Sequence, residues 1–135
     1  MKQGKPLVSV LTITYNRADL IHKCIESIQR QTYPNYEHVI VDGGSTDDTE
    51  EVVMKYHDSH IRYVKLKEKG PAIQMNRAFA ESKGEMITFL DDDDEYLPMK
   101  ISKQVERMEE LGKDYGMVYC WMSYYNTENT PPPTS

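Results

Sequence analysis

Several things are scarce in this chain, and each scarcity removes a class of function. Of 135 residues only two are cysteine. Cys24 and Cys120 lie inside apolar periodic segments, so buried free thiols in a reducing compartment are expected rather than a disulfide framework. Basic charge is also short: Lys and Arg number 16 against 22 Asp and Glu, for a net charge of −6. No basic stripe appears, which argues against nucleic acid as the partner and against adhesion to an anionic membrane. No apolar run approaches the ~20 residues that cross a bilayer, and the N-terminus MKQGKPLVSV has no signal-peptide core. His22, His38, His57 and His60 lack zinc-type spacing. There is no GxxxxGK[ST] phosphate loop, no GxGxxG after the first strand and no GxSxG elbow.

What is present is an alternation of two periodicities. LVSVLTI (7–13), EHVIV (37–41), IRYVKL (61–66), EMITFL (85–90) and YGMVYCWM (115–122) read as strands. Between them, 17–30 places Leu20, Ile21, Cys24, Ile25 and Ile28 on one helical face, and Pro34 breaks that helix. Ser45 is expected to cap a second helix that runs to about His57. Gly70-Pro71 opens a third helix, with Gly84 expected as its C′ residue. A fourth runs from Pro98 to Gly112, with Ile101, Val105, Met108 and Leu111 inward. The expected architecture is α/β, a mainly parallel sheet with helices on its faces, in one domain over 1–122. The segment 123–135 has no apolar face and is expected to be disordered.

In parallel sheets ligands bind beyond the carboxyl ends of the strands, so the strand exits are the places to look. Strand one exits into Thr14, Tyr15, Asn16 and Arg17. Strand two exits into Asp42, Gly43, Gly44 and Ser45. Strand four exits into Asp91, Asp92, Asp93 and Asp94. Four adjacent carboxylates repel one another. A solvated acidic turn near the start of the Pro98 helix would tolerate them; so would a hard divalent cation, which takes oxygen ligands. The other strand exits, with an aromatic ring and an isolated carboxylate, favour the cation and a phosphate-bearing ligand.

The ordered segments SVLTITYNR, QTYPNYEHVIVDGGSTDDTEEV and KGPAIQMNRAFAESKGEMITFLDDDDEYLP closely resemble the family 2 glycosyltransferases, whose fold is the Rossmann-like GT-A nucleotide-diphospho-sugar transferase fold. The resemblance spans residues 7 to about 122. It implies inverting transfer of sugar from a UDP- or GDP-linked donor to an acceptor hydroxyl with Mg²⁺ or Mn²⁺, and a saccharide or lipid-linked saccharide as acceptor. Asp91-Asp92-Asp93 fall on the family's DxD-type motif. Asp93, with Asp91, is the implied metal ligand; Asp91 or Asp92 is expected near the ribose and diphosphate. Thr14, Tyr15 and Asn16 fall in the donor-binding strand exit, with Tyr15 beside the base. Asp42 falls in the acidic turn near base and ribose, Asn76 on a motif asparagine, and Lys69 near a basic position that some relatives bring to the phosphates.

Three departures accompany the resemblance. Gly43 stands where many relatives have a second acid, which leaves the base selectivity open. Met75 stands where many have arginine. The family's domain also continues past its fifth strand, and that continuation supplies the acceptor contacts and the general base. No catalytic base is therefore identified in this chain, which reads as the donor-binding half. The alternative is a non-catalytic nucleotide-binding or interaction module, with an open sheet edge offering a route to a homodimer. A receiver or haloacid-dehalogenase phosphatase is disfavoured, because its acid cluster would follow strand one. The family guess for location is the cytoplasm, at the inner face of the membrane, in envelope glycan synthesis.

Overall fold

The structure, a computed structural model, describes residues 4–124. The elements alternate as the sequence periodicities require: β1 (Val8–Thr14), α1 (Ile21–Gln29), β2 (Tyr36–Asp42), α2 (Thr49–Met54), β3 (Ile61–Lys65), α3 (Pro71–Glu81), β4 (Met86–Phe89) and α4 (Lys100–Leu111), followed by a 3₁₀ turn over Gly112–Asp114. The four strands form one sheet in the order β3-β2-β1-β4, all parallel. The chain moves outward from β1 to β3, then crosses back to lay β4 on the other side of β1. That reversal makes the junction of β1 and β4 the topological switch point.

Strand alternation sends residues to two cores. On one face Val8 and Val10 of β1 meet Cys24 and Ile28 of α1 and Ile101 and Val105 of α4. Beside them Ile21, Ile25, Ile40 and Val53 join α1, β2 and α2. On the opposite face Leu11, Val39 and Val41 pack on Ala78 of α3. β1 and β2 are almost wholly buried, as the continuous apolar runs of a sheet covered on both sides demand. β4 is different. Its residues are only partly buried and Phe89 is 58% exposed, because no described strand pairs with its outer edge.

Four local expectations are corrected. The fifth strand does not form: Gly116–Tyr124 carry no ladder, and Met117, Tyr119, Trp121 and Tyr124 are exposed. Strand propensity describes fitness for a pleated surface, and no described neighbour supplies one. Ser45 does not cap α2; Asp48 occupies that position, while the Ser45 hydroxyl accepts from the Asn16 backbone N–H at 2.8 Å. Gly84 is not a left-handed C′ residue. The C-cap of α3 is Ser82, and Gly84 is needed for close approach, because a Cβ there would lie 2.6 Å from the Ser9 backbone nitrogen. Finally, α1 begins at Ile21 and α2 ends at Met54. Residues 17–20 form a turn that Arg17 opens by accepting from Leu20 and Ile21. The disorder expected over 123–135 lies outside the described residues from 125 onward; Ser123 and Tyr124 are exposed and belong to no helix or strand.

Candidate functional site

The exits of β1, β2 and β4 lie on one edge of the sheet, and hydrogen bonds between them begin with Thr14. Its hydroxyl, at the last position of β1, donates to Asp92 Oδ2 at 2.7 Å. This bond spans the switch point. It draws Asp92 inward until the residue is 9% exposed, with the Arg17 guanidinium 3.8 Å from its other oxygen. Burial pushes the Asp92 carboxyl above its ordinary value. Thr14 and Arg17 pull it back, and Asp93 and Asp91 push it up again.

With Asp92 turned in, Asp91, Asp93 and Asp94 face solvent. Each offers a carboxylate oxygen, and these oxygens lie within 4.8 Å of one another. Among the described residues no basic side chain forms an ion pair with any of the three. Burial, then Asp93 and Asp91, hold the Asp94 carboxyl above its usual range. An all-oxygen, multiply charged donor set of this kind fits a hard divalent cation such as Mg²⁺ or Mn²⁺.

The β2 exit is built in the opposite manner. Asp42 is fully buried. One of its oxygens accepts from the Ser45 N–H at 2.7 Å, and the other accepts from the Tyr63 hydroxyl. Burial, together with the Asp42 carboxylate, drives the Tyr63 phenol far above its ordinary pKa. Asn16 adopts a left-handed conformation with φ 52°, which asparagine tolerates better than most residues. Its side-chain oxygen accepts from Thr46 N at 2.8 Å and more weakly from Asp47 N at 3.3 Å, which ties the β1 exit to the β2 exit.

Gln74 locks the two exits to α3. It is 3% exposed; its Nε2 donates to Thr14 O at 2.8 Å and Val41 O at 3.1 Å, and its Oε1 accepts from Gly70 N at 3.2 Å. A Cβ on residue 43 would lie 2.8 Å from that Oε1. Glycine at 43 and glutamine at 74 are thus one packing solution. Tyr15 is half-buried with the Lys69 ammonium 4.6 Å from its ring centroid, a cation–π contact. Asn76, on the exposed side of α3, makes no side-chain hydrogen bond among the described residues.

The structure therefore brings Thr14 to Asp92 and Asn16 to the Asp42 loop, and it gathers Asp91 and Asp93 with Asp94. It does not bring Asp42 or Asn76 into contact with the acidic turn. Sequence reading placed Asp94 in the acid cluster without giving it a ligand role, and it missed Gln74 and Tyr63 as site residues. Gln74 left one signal, a polar residue in the first apolar turn of α3. Tyr63 left none without the strand register that sets it opposite Ile40, one alternation below Asp42.

A parallel sheet in the order 3-2-1-4, with an acid cluster at its switch point, is a Rossmann-like arrangement that fits the GT-A class of nucleotide-sugar-binding folds. The comparisons agree. Residues 9–135 match the family described as glycosyl transferase family 2, and the chain belongs to that family. It is 43% identical over 104 residues to WfaP of Escherichia coli, a UDP-Glc:α-D-GlcNAc-diphosphoundecaprenol β-1,3-glucosyltransferase, covering 76% of this chain and 41% of that one. It superposes on the crystal structure of S. aureus TarS 1-349 in complex with UDP-GlcNAc with TM-score 0.73 and 30% identity, covering 76% of this chain and 31% of that one. It also superposes on the mannosyltransferase PcManGT of Pyrobaculum calidifontis, in complex with GDP-Man and Mn²⁺, with TM-score 0.64 and 33% identity, covering 69% of this chain and 29% of that one. The chain spans less than half the length of the curated relatives it matches. No helix among the described residues is long and apolar enough to cross a membrane.

Proposed function

We propose that residues 1–122 form the donor-binding half of a metal-dependent, inverting glycosyltransferase that takes a UDP- or GDP-linked sugar. The observation that carries this reading is the 2.7 Å bond from Thr14 to Asp92. It fixes the acidic turn at the switch point and leaves Asp91, Asp93 and Asp94 outward. Asp93 and Asp91 would hold the cation, with Asp94 close enough to share it. A bound Mg²⁺ or Mn²⁺ supplies Lewis-acid stabilisation of the charge that builds on a departing diphosphate.

The chain's own residues do the rest of the binding. Tyr15 offers a ring face to the base once Lys69 swings off it. Lys69 then provides a positive charge near the phosphates. Asp42 acts mainly by shaping the β2 exit, because its oxygens already accept from Tyr63 and Ser45. Asn16 holds that exit to β1. Asn76 lies free on α3 to meet a ligand. No residue of this site is assigned the general base. The acceptor is a saccharide, and the diphosphoundecaprenol-linked sugar in the name of WfaP supports a lipid-linked one.

A second reading, an interaction module that pairs with a copy of itself, is favoured by the exposed apolar side chains of Phe79, Phe89 and Trp121. One set of measurements separates the two. UDP and GDP are titrated calorimetrically, each with Mn²⁺ and with chelator, into wild type and Asp93→Ala. Metal-dependent binding that Asp93→Ala abolishes supports the donor site and names the base. Absence of binding, with a dimer in sedimentation, supports the interaction module.

A further inference from the structure

We infer that His38 is a positioning residue for the acidic turn, acting through the Thr12 hydroxyl on the Leu90 carbonyl. The inference rests on the nucleotide-sugar reading for what the turn does. It rests on the geometry alone for how the turn is held.

Thr12 Oγ1 lies 2.8 Å from Leu90 O and 2.9 Å from His38 Nε2. A hydroxyl has one hydrogen and two lone pairs. A carbonyl oxygen can only accept, so the Thr12 hydrogen goes to Leu90. Thr12 must then accept from His38, which places the imidazole proton on Nε2. The second lone pair is met by the Cys24 thiol at 3.8 Å; burial pushes that thiol up to about 12, so it keeps its proton and donates. The hydroxyl is fully satisfied, and the hydrogens all point one way, from His38 through Thr12 to Leu90. His38 Nδ1 is left bare, buried and without a partner among the described residues.

The cost of this arrangement suggests its use. His38 is 1% exposed in a strand whose next three residues are Val39, Ile40 and Val41. An apolar side chain there would bury without an orphaned nitrogen. What the imidazole adds is direction. Leu90 is the last apolar residue before the four aspartates, and its N–H already donates to Leu11 O at 3.1 Å. Holding its carbonyl as well fixes the plane of the Leu90–Asp91 peptide. Two residues on, Thr14 fixes Asp92. Two threonines of β1, on the same face of the strand, thus set the path along which Asp91 and Asp93 project.

The test compares Thr12→Val, isosteric but without a hydroxyl, with Thr12→Ser, which keeps it. Mn²⁺-dependent UDP affinity is expected to fall about tenfold or more in Thr12→Val, as for removal of a partner behind a metal ligand, and to return in Thr12→Ser. His38→Gln, which keeps an amide donor, should retain more affinity than His38→Leu. A Thr12→Val protein that melts lower yet binds UDP and Mn²⁺ as wild type does overturns the inference. The wild-type ring gives a readout that needs no variant. A long-range ¹H–¹⁵N spectrum should show His38 protonated on Nε2; a proton on Nδ1 overturns the relay. Should wild type bind neither Mn²⁺ nor UDP, the donor-site reading falls, and amide exchange over residues 91–94 judges the relay instead. Faster exchange in Thr12→Val than in Thr12→Ser supports it, and equal exchange overturns it.

Discussion

On the β2 side of the crevice Asp42 is fully buried and both of its oxygens accept a protein hydrogen bond, whereas on the β4 side Asp91, Asp93 and Asp94 stand in solvent within 4.8 Å of one another. The first carboxylate has its needs met by the fold. The other three accept no side-chain hydrogen bond and form no ion pair among the described residues. Two regions of like charge in one crevice are therefore different chemical objects. The β2 exit is a finished scaffold that contributes stability. The β4 exit is an unfinished one, whose repulsion a bound cation would relieve on the function proposed above. Only Asp92, turned inward by Thr14, belongs to both descriptions.

This contrast can be broken most sharply at Asp93. Asp93→Ala should abolish metal-dependent nucleotide binding in calorimetry while leaving the melting temperature nearly unchanged, as for an exposed side chain without a hydrogen bond or ion pair among the described residues. Loss of binding together with a large drop in melting temperature would mean that the turn is structural.

The next largest effect lies under the scaffold. Burial holds the His38 imidazole down to about 4 from an ordinary 6.5, with Asp58 opposing. Between those values the unfolded chain binds more protons than the folded one, so stability falls as pH drops from 6.5 towards 4. The loss on completing that window is on the order of 3 kcal/mol. Denaturant titrations across the range should show it, and His38→Gln should flatten it. An unchanged slope in that variant would assign the acid lability to other groups.

Asp42→Asn should then cost about 1–3 kcal/mol, because an amide cannot accept from both Tyr63 and Ser45 as the carboxylate does. Chemical denaturation measures this, and a neutral result would undo the claim that the β2 exit is pre-built. Asp94→Asn should do the reverse. Removing one of three like charges from a largely exposed cluster should stabilise the metal-free protein by a few tenths of a kcal/mol, and added Mn²⁺ should erase the gain. Destabilisation would show that the cluster is held together by contacts of its own.

The sites of these opposite effects were unequally visible in the sequence. The acidic run and the two other polar strand exits stood out because each follows a strand-like apolar segment, and the sheet places such exits on one edge. Which aspartate turns inward was not visible. FLDDDDEYLP offers four chemically identical candidates, and the choice of Asp92 comes from Thr14, 78 residues away in sequence. Gln74 and Tyr63 were missed for the same reason: their partners are distant backbone carbonyls and a carboxylate on a neighbouring strand.

By itself the sequence determined the alternation of strands and helices, the parallel sheet, the family and the position of the acid cluster. These follow from periodicity, turn chemistry and ordered motifs, which are local and repeat along the chain. The tertiary structure decided which carboxylates are satisfied and which are left charged. It also decided that residues 115–122 remain without a ladder despite their strand-like composition, and that Gly84 serves the approach of two backbones rather than the end of a helix. Those outcomes depend on which atoms meet across the sheet, and pairing between distant segments is fixed only once the strands have taken their order and register.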